Sequence, residues 1–328
     1  MDFSELSKIA NGFTQSRIIQ VAVKLGVFDV IGNKGSSSNA IARTLGTNHR
    51  ATELLLNALV ALGLLNKERR KFYNTESSIM YLVKTSPKYF GGMILFEGGL
   101  WDTWGRLEEA IRTGKPARSP DMFQEKEEET ERFIMAMHTL VTARGDAEVL
   151  SNMLDFKGVK TIIDIGSGPG TYPMQFLKKY PYLRITIFDL PGTLNVTRRI
   201  LKREKMYGKI EIVEGDYNKD EIPRGFDVAF LSNIIHSENE EANQKLMKKV
   251  YASLNRNGRI IIKDHILDDT LTSPAVGAIF SIQMLLVTKG RDYSFSEVKG
   301  WLEDAGFRKS EWIRLKPPLT SSLVIGWK

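Results

Sequence analysis

The sequence contains no cysteine among its 328 residues. It therefore forms no disulfide and no cysteine metal site, and no thiol can serve as its nucleophile. Its apolar runs fall well short of the roughly 20 residues that a membrane-spanning helix needs. The first residues lack a basic stretch followed by an apolar core, so we expect no signal peptide. Together these absences favour a reducing compartment, and we expect the cytoplasm.

The rest of the composition is ordinary for a soluble globular protein, with 42% apolar and 26% charged residues. The length allows two domains. A net charge of +7 is compatible with an anionic substrate, a membrane surface or nucleic acid. However, the basic cluster Arg198–Lys205 has the helical spacing of a solvated helix face, so the charge alone identifies no partner.

The pattern of residues changes twice along the chain. Residues 1–95 combine helical periodicity with a hairpin around the basic turn Lys67–Lys71, which is a winged-helix pattern. Residues 96–150 are again helical, with one apolar stripe running from Trp101 to Ile111. In residues 151–328 strands and helices alternate, which indicates a parallel sheet covered on both faces. We therefore predict an α/β fold with three segments, divided near residues 95 and 150.

The strands predicted for the C-terminal segment are apolar and rich in β-branched residues. They are Thr161–Asp164, Arg184–Phe188, Ile210–Glu214, Asp227–Ser232 and Arg259–Asp264, with Phe307–Arg314 and Ser321–Trp327 as a terminal antiparallel pair. The helices predicted between them are Tyr172–Lys179, Leu194–Glu204 and Glu240–Leu254. Ligands bind at the carboxyl ends of the strands in open sheets of this kind, so residues after each strand are the site candidates.

A glycine-rich turn, Asp164–Gly170 with the sequence D-I-G-S-G-P-G, follows the first of these strands. Its spacing matches neither the dinucleotide fingerprint G-x-G-x-x-G nor the phosphate-binding P-loop, which disfavours a nicotinamide dehydrogenase. Glycine lets the backbone approach a ligand closely, and Asp189 after the next strand can accept hydrogen bonds from ribose hydroxyls. The turn and the acid together predict a nucleoside cofactor.

Two later turns extend this candidate site. Asp216 and Tyr217 follow the third strand, where an acid can pair with an adenine amine and an aromatic ring can lie against the base. His236 follows the fourth strand, and histidine titrates near neutrality and can accept a proton from a phenol or a similar group. Asp264 ends the fifth strand and Asp292 lies in a later loop. Either carboxylate can orient a histidine ring and stabilise its charged form.

These residues resemble those of a known family. The run D-I-G-S-G-P-G is similar to the D-x-G-x-G-x-G motif of class I S-adenosylmethionine-dependent methyltransferases. Four further stretches resemble small-molecule O-methyltransferases of the plant caffeate, hydroxyindole and bacterial polyketide type: Phe188–Pro191, Gly215–Tyr217, the strand leading to His236, and Asp264–Leu267. The resemblance extends into the N-terminal half and covers nearly the whole chain.

The resemblance implies both a fold and a cofactor. The fold would be a Rossmann-like methyltransferase domain with a mostly parallel seven-stranded sheet, preceded by a mainly helical, winged-helix-like dimerisation domain. The cofactor would be S-adenosyl-L-methionine. The residues binding it would be Asp164, Gly166, Gly168, Gly170, Asp189, Leu190, Asp216, Tyr217 and Ser232.

The implied reaction is in-line attack of a hydroxyl oxygen on the sulfonium methyl group, with His236 as general base and Asp264 and Asp292 as its orienting acids. The acceptor would be a small, aromatic molecule. Three features depart from the family pattern. His236 is followed by Ser237-Glu238 instead of aspartate and an aromatic residue, Ser232 stands where plant enzymes often carry lysine, and both acids replace glutamates.

Other expectations concern the substrate, the partner and metals. Candidate walls of the substrate site are Trp101, Phe133, Met137, His138, Val141, Phe280 and Met284, for which core packing is an equally good interpretation. The apolar N-terminal half, including Val21, Leu25, Val27 and Phe28, motivates a homodimer. The sequence places no third ligand close to His236 and Asp264, so we expect catalysis without a metal.

Two alternative functions fit parts of the sequence. Some members of the methyltransferase fold act on nitrogen, carbon or sulfur, where a base at His236 is dispensable. The basic hairpin also suggests a winged-helix regulator that binds nucleic acid. Against this, the expected recognition helix Arg50–Leu62 carries only Arg50 as a basic residue, so we expect no nucleic-acid partner. None of these motifs names the acceptor molecule.

Overall fold

The computed structural model of the protein describes all residues from Met1 to Lys328. The chain divides into two compact units. The N-terminal unit contains residues 1–101 and 135–143, and the C-terminal unit contains residues 102–134 and 144–328. No helix combines the length and the apolar character that crossing a bilayer requires.

The N-terminal unit is mainly helical, as expected. Its first helix begins after a capping box of Asp2 and Glu5 and ends at Gly26, whose φ of 78° favours glycine. The core of the unit contains Val27 and Phe28, which are completely or almost completely buried. The helices are α1 (Phe3–Leu25), α2 (Val27–Ile31), α3 (Ser38–Leu45), α4 (His49–Ala61), α5 (Glu76–Leu82) and α6 (Gly91–Gly99).

A small antiparallel sheet completes this unit. Its strands are β1 (Ser36–Ser37), β2 (Leu65–Glu68) and β3 (Lys71–Asn74), in the order β1-β3-β2. Strands β2 and β3 form the hairpin that the basic turn predicted. Helices followed by such a hairpin give the unit its winged-helix-like character.

The apolar stripe from Trp101 to Ile111 does not lie on one helix, contrary to the sequence prediction. Two short helices, α7 (Trp101–Gly105) and α8 (Leu107–Thr113), divide it. The break follows Gly105, and glycine is a poor helix former. Two longer helices follow, α9 (Glu127–Arg144) and α10 (Asp146–Met153).

The C-terminal unit is built on a seven-stranded sheet. Its strands are β4 (Thr161–Ile165), β5 (Arg184–Asp189), β6 (Glu211–Glu214), β7 (Phe226–Ser232), β8 (Leu254–Asp264), β11 (Lys309–Arg314) and β12 (Ser322–Trp327). Their order is β11-β12-β8-β7-β4-β5-β6, and β4 to β8 are parallel while β12 runs antiparallel to both of its neighbours. A mostly parallel sheet of seven strands confirms the fold expected from the resemblance.

Helices connect these strands. They are α11 (Thr171–Lys179), α12 (Pro191–Arg203), α13 (Glu240–Ser253), α14 (Ala275–Val287) and α15 (Phe295–Ala305). Strands β9 (Ile266–Leu267) and β10 (Tyr293–Ser294) form a separate parallel pair. The central strands contribute buried isoleucines and leucines to the core, as is typical of a parallel sheet covered on both faces. Their carboxyl ends carry the polar residues described below.

Three charged side chains form a cluster near the end of β8. Lys263 Nζ lies 3.4 Å from Asp146 Oδ2 and donates a hydrogen bond to Ser321 Oγ at 2.9 Å. Asp146 also accepts hydrogen bonds of 2.6 and 2.7 Å from Arg144. Lys263 and Asp146 are fully buried, and burial lowers the pKa of Lys263. The lysine is tolerated inside an apolar strand because its ammonium group faces a carboxylate.

Substituting Asp146 with alanine should destabilise the C-terminal unit strongly. Removing one partner of a buried ion pair leaves an uncompensated charge, at a cost of about 3–5 kcal/mol. Denaturant unfolding of the wild type and of Asp146→Ala measures this loss. The control is Glu241→Gln, which breaks the exposed pair with Lys245 and should leave the midpoint unchanged. Equal midpoints for Asp146→Ala and the wild type would contradict the expectation.

Candidate cofactor and active site

The glycine-rich turn connects β4 to α11. Gly166, Gly168 and Gly170 all have positive φ, at 66°, 58° and 73°. Other residues rarely adopt this conformation, and a Cβ at Gly166 would also clash with Ile234. The three glycines therefore fix a tight turn at the carboxyl end of the sheet.

Asp189, at the end of β5, is bound to this turn. Its two carboxylate oxygens accept hydrogen bonds of 2.7 Å from the backbone N–H groups of Gly168 and Leu190. A carboxylate has about four acceptor positions, so Asp189 can still accept hydrogen bonds from a pair of hydroxyls. The side chain is 9% exposed, and burial raises its pKa to about 6. The geometry fits a ribose acceptor that is pre-oriented by backbone amides.

Asp164 supports the turn from the end of β4. Ser167 Oγ donates a 2.6 Å hydrogen bond to its Oδ2, while the buried Oδ1 has no hydrogen-bond partner in the protein. Burial raises the pKa of this carboxyl group to about 7. A buried acceptor without a donor beside the glycine turn is consistent with a ligand that brings a donor to it.

The remaining cofactor candidates lie at neighbouring strand ends. Asp216 accepts a 2.9 Å hydrogen bond from the backbone of Asn218, and Lys219 Nζ lies 3.0 Å from its other oxygen. Tyr217 donates a 2.9 Å hydrogen bond to Glu238. Ser232 ends β7. Their roles toward a cofactor stay a prediction.

His236 lies in a 3-10 turn, Ile235–Ser237, that directly follows β7. Its Nδ1 is 2.7 Å from Asp264 Oδ1 at the end of β8 and 4.0 Å from Asp292 Oδ1. The structure thus brings together the three residues that the sequence proposed as base and orienting acids. Contrary to the expectation that no third possible metal ligand lies close, the ligand atoms of all three lie within 4.8 Å of one another. All three are at least 90% buried.

Electrostatics divide this cluster into groups with different proton affinities. Burial disfavours the charged form of His236, but the carboxylates of Asp264 and Asp292 outweigh it, so the pKa of His236 is raised. Burial also opposes ionisation of Asp264, yet His236 holds the pKa of this acid below its usual value. For Asp292 burial dominates, and its pKa is raised. His236 and Asp264 therefore behave as a charge-stabilised pair.

The substrate candidates of the C-terminal unit have different surroundings. Phe280 presents its ring edge-to-face to His236, with the centroids 5.1 Å apart. Phe133 stacks on Phe123 at 4.8 Å. Met284 is buried in α14. The other four candidates, Trp101, Met137, His138 and Val141, belong to the N-terminal unit, and all seven stay predictions as substrate contacts.

Sequence reasoning assigned no role to several polar residues beside this cluster. Lys263 and Asp146 are buried partners, and Glu238 accepts hydrogen bonds from Tyr217 and Asn218. The one available signal was Lys263 itself, a lysine that directly follows the apolar run Ile260–Ile262 of β8. The other contacts join residues far apart in sequence, and no local pattern marks them.

Comparison with known proteins places this site in a family. The model of the O-methyltransferase domain matches residues 104–308, and that of the O-methyltransferase dimerisation domain matches residues 7–84. The chain belongs to the O-methyltransferase family. These two matches confirm the resemblance seen in the sequence.

Relatives of this O-methyltransferase match most of its length. A 3-hydroxy-5-methyl-1-naphthoate 3-O-methyltransferase from Streptomyces sahachiroi is 31% identical and covers 98% of this chain and 94% of its own. Acetylserotonin O-methyltransferase from Bos taurus is 30% identical, with coverage of 93% and 92%. The crystal structure of human N-acetylserotonin methyltransferase in complex with SAM has a TM-score of 0.89 at 26% identity, covering 100% and 98%.

Cofactor affinity of this O-methyltransferase should fall as the pH drops below about 6. In the role predicted for Asp189, ribose hydroxyls would donate to its ionised carboxylate, and protonation around a pKa of about 6 would weaken that acceptor. Titration calorimetry with S-adenosylhomocysteine between pH 5 and pH 8 measures the effect, which should approach tenfold for each pH unit below the pKa.

Variants assign this pH dependence to Asp189. Asp189→Asn should bind weakly at every pH and lose most of the dependence, whereas Asp304→Asn, at an exposed position in α15, should match the wild type. Unchanged affinity in Asp189→Asn would show that Asp189 does not hold the ribose.

Proposed function

We propose that this enzyme transfers a methyl group from S-adenosylmethionine to a hydroxyl group of a small aromatic molecule, with His236 as general base. The observation that carries the proposal is the 2.7 Å contact between His236 and Asp264 in the segment after β7. This segment ends at the same edge of the sheet as the glycine turn and Asp189. Base and cofactor residues therefore share the carboxyl ends of adjacent parallel strands, where such sheets bind ligands.

The residues of the first two strand ends fit the proposed cofactor. The turn Gly166–Gly170 admits close backbone approach, and Asp189 offers remaining acceptor positions for ribose hydroxyls. S-adenosylmethionine supplies a methyl group that its sulfonium charge already activates. The protein then contributes alignment of the acceptor and removal of its proton.

The hydrogen bond to Asp264 determines which ring nitrogen of His236 is the base. An ionised carboxylate only accepts hydrogen bonds, so Nδ1 carries the hydrogen of the neutral ring. This leaves the lone pair on Nε2 to accept the proton of the acceptor hydroxyl. Asp264 then stabilises the imidazolium that forms, as in other pairs of a base and its orienting acid.

An aromatic acceptor is supported by both the site and the relatives. Phe280 lies with its ring edge-to-face against His236 and adds an aromatic surface beside the base. The Streptomyces relative is named for a hydroxynaphthoate and the bovine relative for acetylserotonin, and both are aromatic molecules. We therefore propose hydroxylated bicyclic aromatics as the first acceptors to assay.

His236→Ala should lower methyl transfer to naphthols or hydroxyindoles by about 100-fold or more, because general base catalysis contributes about 10²–10⁴ in rate. In the wild type the rate should rise with pH until His236 is neutral, at a pH above the usual histidine pKa because its pKa is raised. Assays in the presence of a chelator should give the same rates, since we propose no metal.

His49→Gln is the matched control for this substitution. His49 lies in the N-terminal unit and hydrogen-bonds to Ser38, so its loss should leave methyl transfer intact. Calorimetry must also show that His236→Ala still binds S-adenosylhomocysteine. Full activity in a folded His236→Ala enzyme would refute the role of His236 as general base and would favour a nitrogen, carbon or sulfur acceptor.

We also propose a homodimer, which the dimerisation domain of the family supports. Val27 and Phe28, two residues that first motivated the dimer, are buried in the core of the N-terminal unit and are not available to a partner. Instead, α1 exposes an apolar stripe made of Phe3, Leu6, Ile9 and Phe13, each more than half exposed. Spacings of three and four residues place them on one face of the helix. An exposed stripe of this kind typically marks a protein interface.

The double substitution Ile9→Glu/Phe13→Glu should convert the dimer to a monomer. Two carboxylates placed in an apolar interface would lose their hydration without gaining partners. Sedimentation velocity at micromolar concentration distinguishes the two masses. Gln15→Glu, on the opposite face of α1, is the control and should remain dimeric. A wild type that sediments as a monomer would refute the homodimer itself.

A further inference from the structure

A second histidine lies beside the base cluster, on the other side of Asp292. His265 directly follows Asp264, and its Nδ1 is 3.5 Å from Asp292 Oδ2. Asp292 is 1% exposed and lies between two imidazole rings, with His236 Nδ1 4.0 Å from its other oxygen. Phe280 packs edge-to-face on both rings.

His265 and Asp292 both have buried polar atoms that lack other hydrogen-bond partners. Neither oxygen of Asp292 accepts a hydrogen bond of ordinary geometry, and His265 Nδ1 is also buried without such a partner. An unsatisfied buried polar atom costs about 1–3 kcal/mol. This cost is lower for both residues if His265 Nδ1 carries a hydrogen and donates it to the carboxylate of Asp292.

A relay of side chains favours one position for the hydrogen of the neutral His265 ring. Arg144 can only donate, and it donates to Thr320 Oγ1 at 3.1 Å. Thr320 therefore has its own hydrogen available for His265 Nε2, which lies 3.1 Å away. When Nε2 accepts, the hydrogen of the neutral ring is on Nδ1 and points to Asp292. Arg144 is itself held by two hydrogen bonds to the buried Asp146.

We propose that His265 is a positioning residue for Asp292: the relay Arg144–Thr320–His265 presents an N–H group to this carboxylate and keeps it ionised and directed at His236. His265 thereby raises the pKa of His236 without contacting the reacting atoms. The catalytic part of this inference depends on the proposed role of His236, whereas the electrostatic part does not.

The direction of the effect follows from the charges around His236. The charged groups that act on its ring are Asp264 and Lys263 on β8 and Asp292 in the loop before β10, while His265 contacts the other oxygen of Asp292. Without the donor at His265, Asp292 would hold its proton more tightly and lose negative charge near His236. The imidazolium of His236 would then be less stable, and its pKa would fall. Removing a positively charged His265 would instead raise that pKa, so the sign distinguishes the two arrangements.

The test is the NMR titration of His236 in protein labelled with ¹³C at histidine Cε1. The chain has four histidines, so single substitutions assign every signal. In His265→Leu the pKa of His236 should fall by about half a unit or more, which is about threefold in proton affinity. A pKa that is unchanged or raised in this variant would overturn the proposal.

Two further variants exclude a merely structural effect. His265→Asn places an amide N–H where Nδ1 was and should restore most of the wild-type pKa of His236. Thr320→Val should lower the pKa of His236 as His265→Leu does, with a smaller change in side-chain shape. In an Asp292→Asn background, His265→Leu should add nothing further. If the shifts that His265→Leu and Asp292→Asn cause in the pKa of His236 were additive, His265 would not act through Asp292.

Activity provides a separate readout. In His265→Leu the pH at which kcat reaches its plateau should fall together with the pKa of His236, while affinity for S-adenosylhomocysteine stays the same. If His236→Ala retained full activity, the base would be refuted, yet the NMR result on His265 would still stand or fall by itself.

Discussion

Burial of carboxylates at one edge of the sheet is the constraint on which the candidate site depends. Strands β4, β5 and β8 end at or next to Asp164, Asp189 and Asp264, all of which are more than nine-tenths buried. A desolvated carboxylate is tolerated only where donors replace its water. The protein uses a different donor at each position: a serine hydroxyl, backbone N–H groups of the glycine turn, and an imidazole ring. The chemistry of each position follows from its donor.

Because their surroundings differ, neighbouring carboxyl groups of the site have different pKa values. Burial raises the pKa of Asp189 to about 6 although backbone amides of the glycine turn oppose the shift, so this acid is largely ionised near neutrality and can accept hydroxyl hydrogens. The imidazole of His236 holds the pKa of Asp264 below its usual value, whereas burial raises that of Asp292. Carboxyl groups whose pKa values differ because of their surroundings can thus take different roles in one site.

Local patterns in the sequence were sufficient for the fold and for the candidate residues at the strand ends. Apolar β-branched runs and glycine turns predicted the strands of the sheet, and parallel topology then required their ends to meet. The helix break at Gly105 and the burial of Lys263 against Asp146 were not predicted. Helix ends depend on small differences in propensity, and a buried ion pair depends on contacts between distant segments, neither of which periodicity encodes.

The short acids of this chain and its second histidine are linked by geometry. Asp292 Oδ1 ends 4.0 Å from His236 Nδ1, which is beyond hydrogen-bonding distance. At that distance it acts on His236 through charge alone, so its influence depends on remaining ionised. A buried carboxylate stays ionised only beside a donor, and His265 is the side chain whose ring faces it at 3.5 Å. Asp292 and His265 are therefore best understood as one arrangement, in which the carboxylate acts on His236 through space and the neighbouring imidazole stabilises its charge.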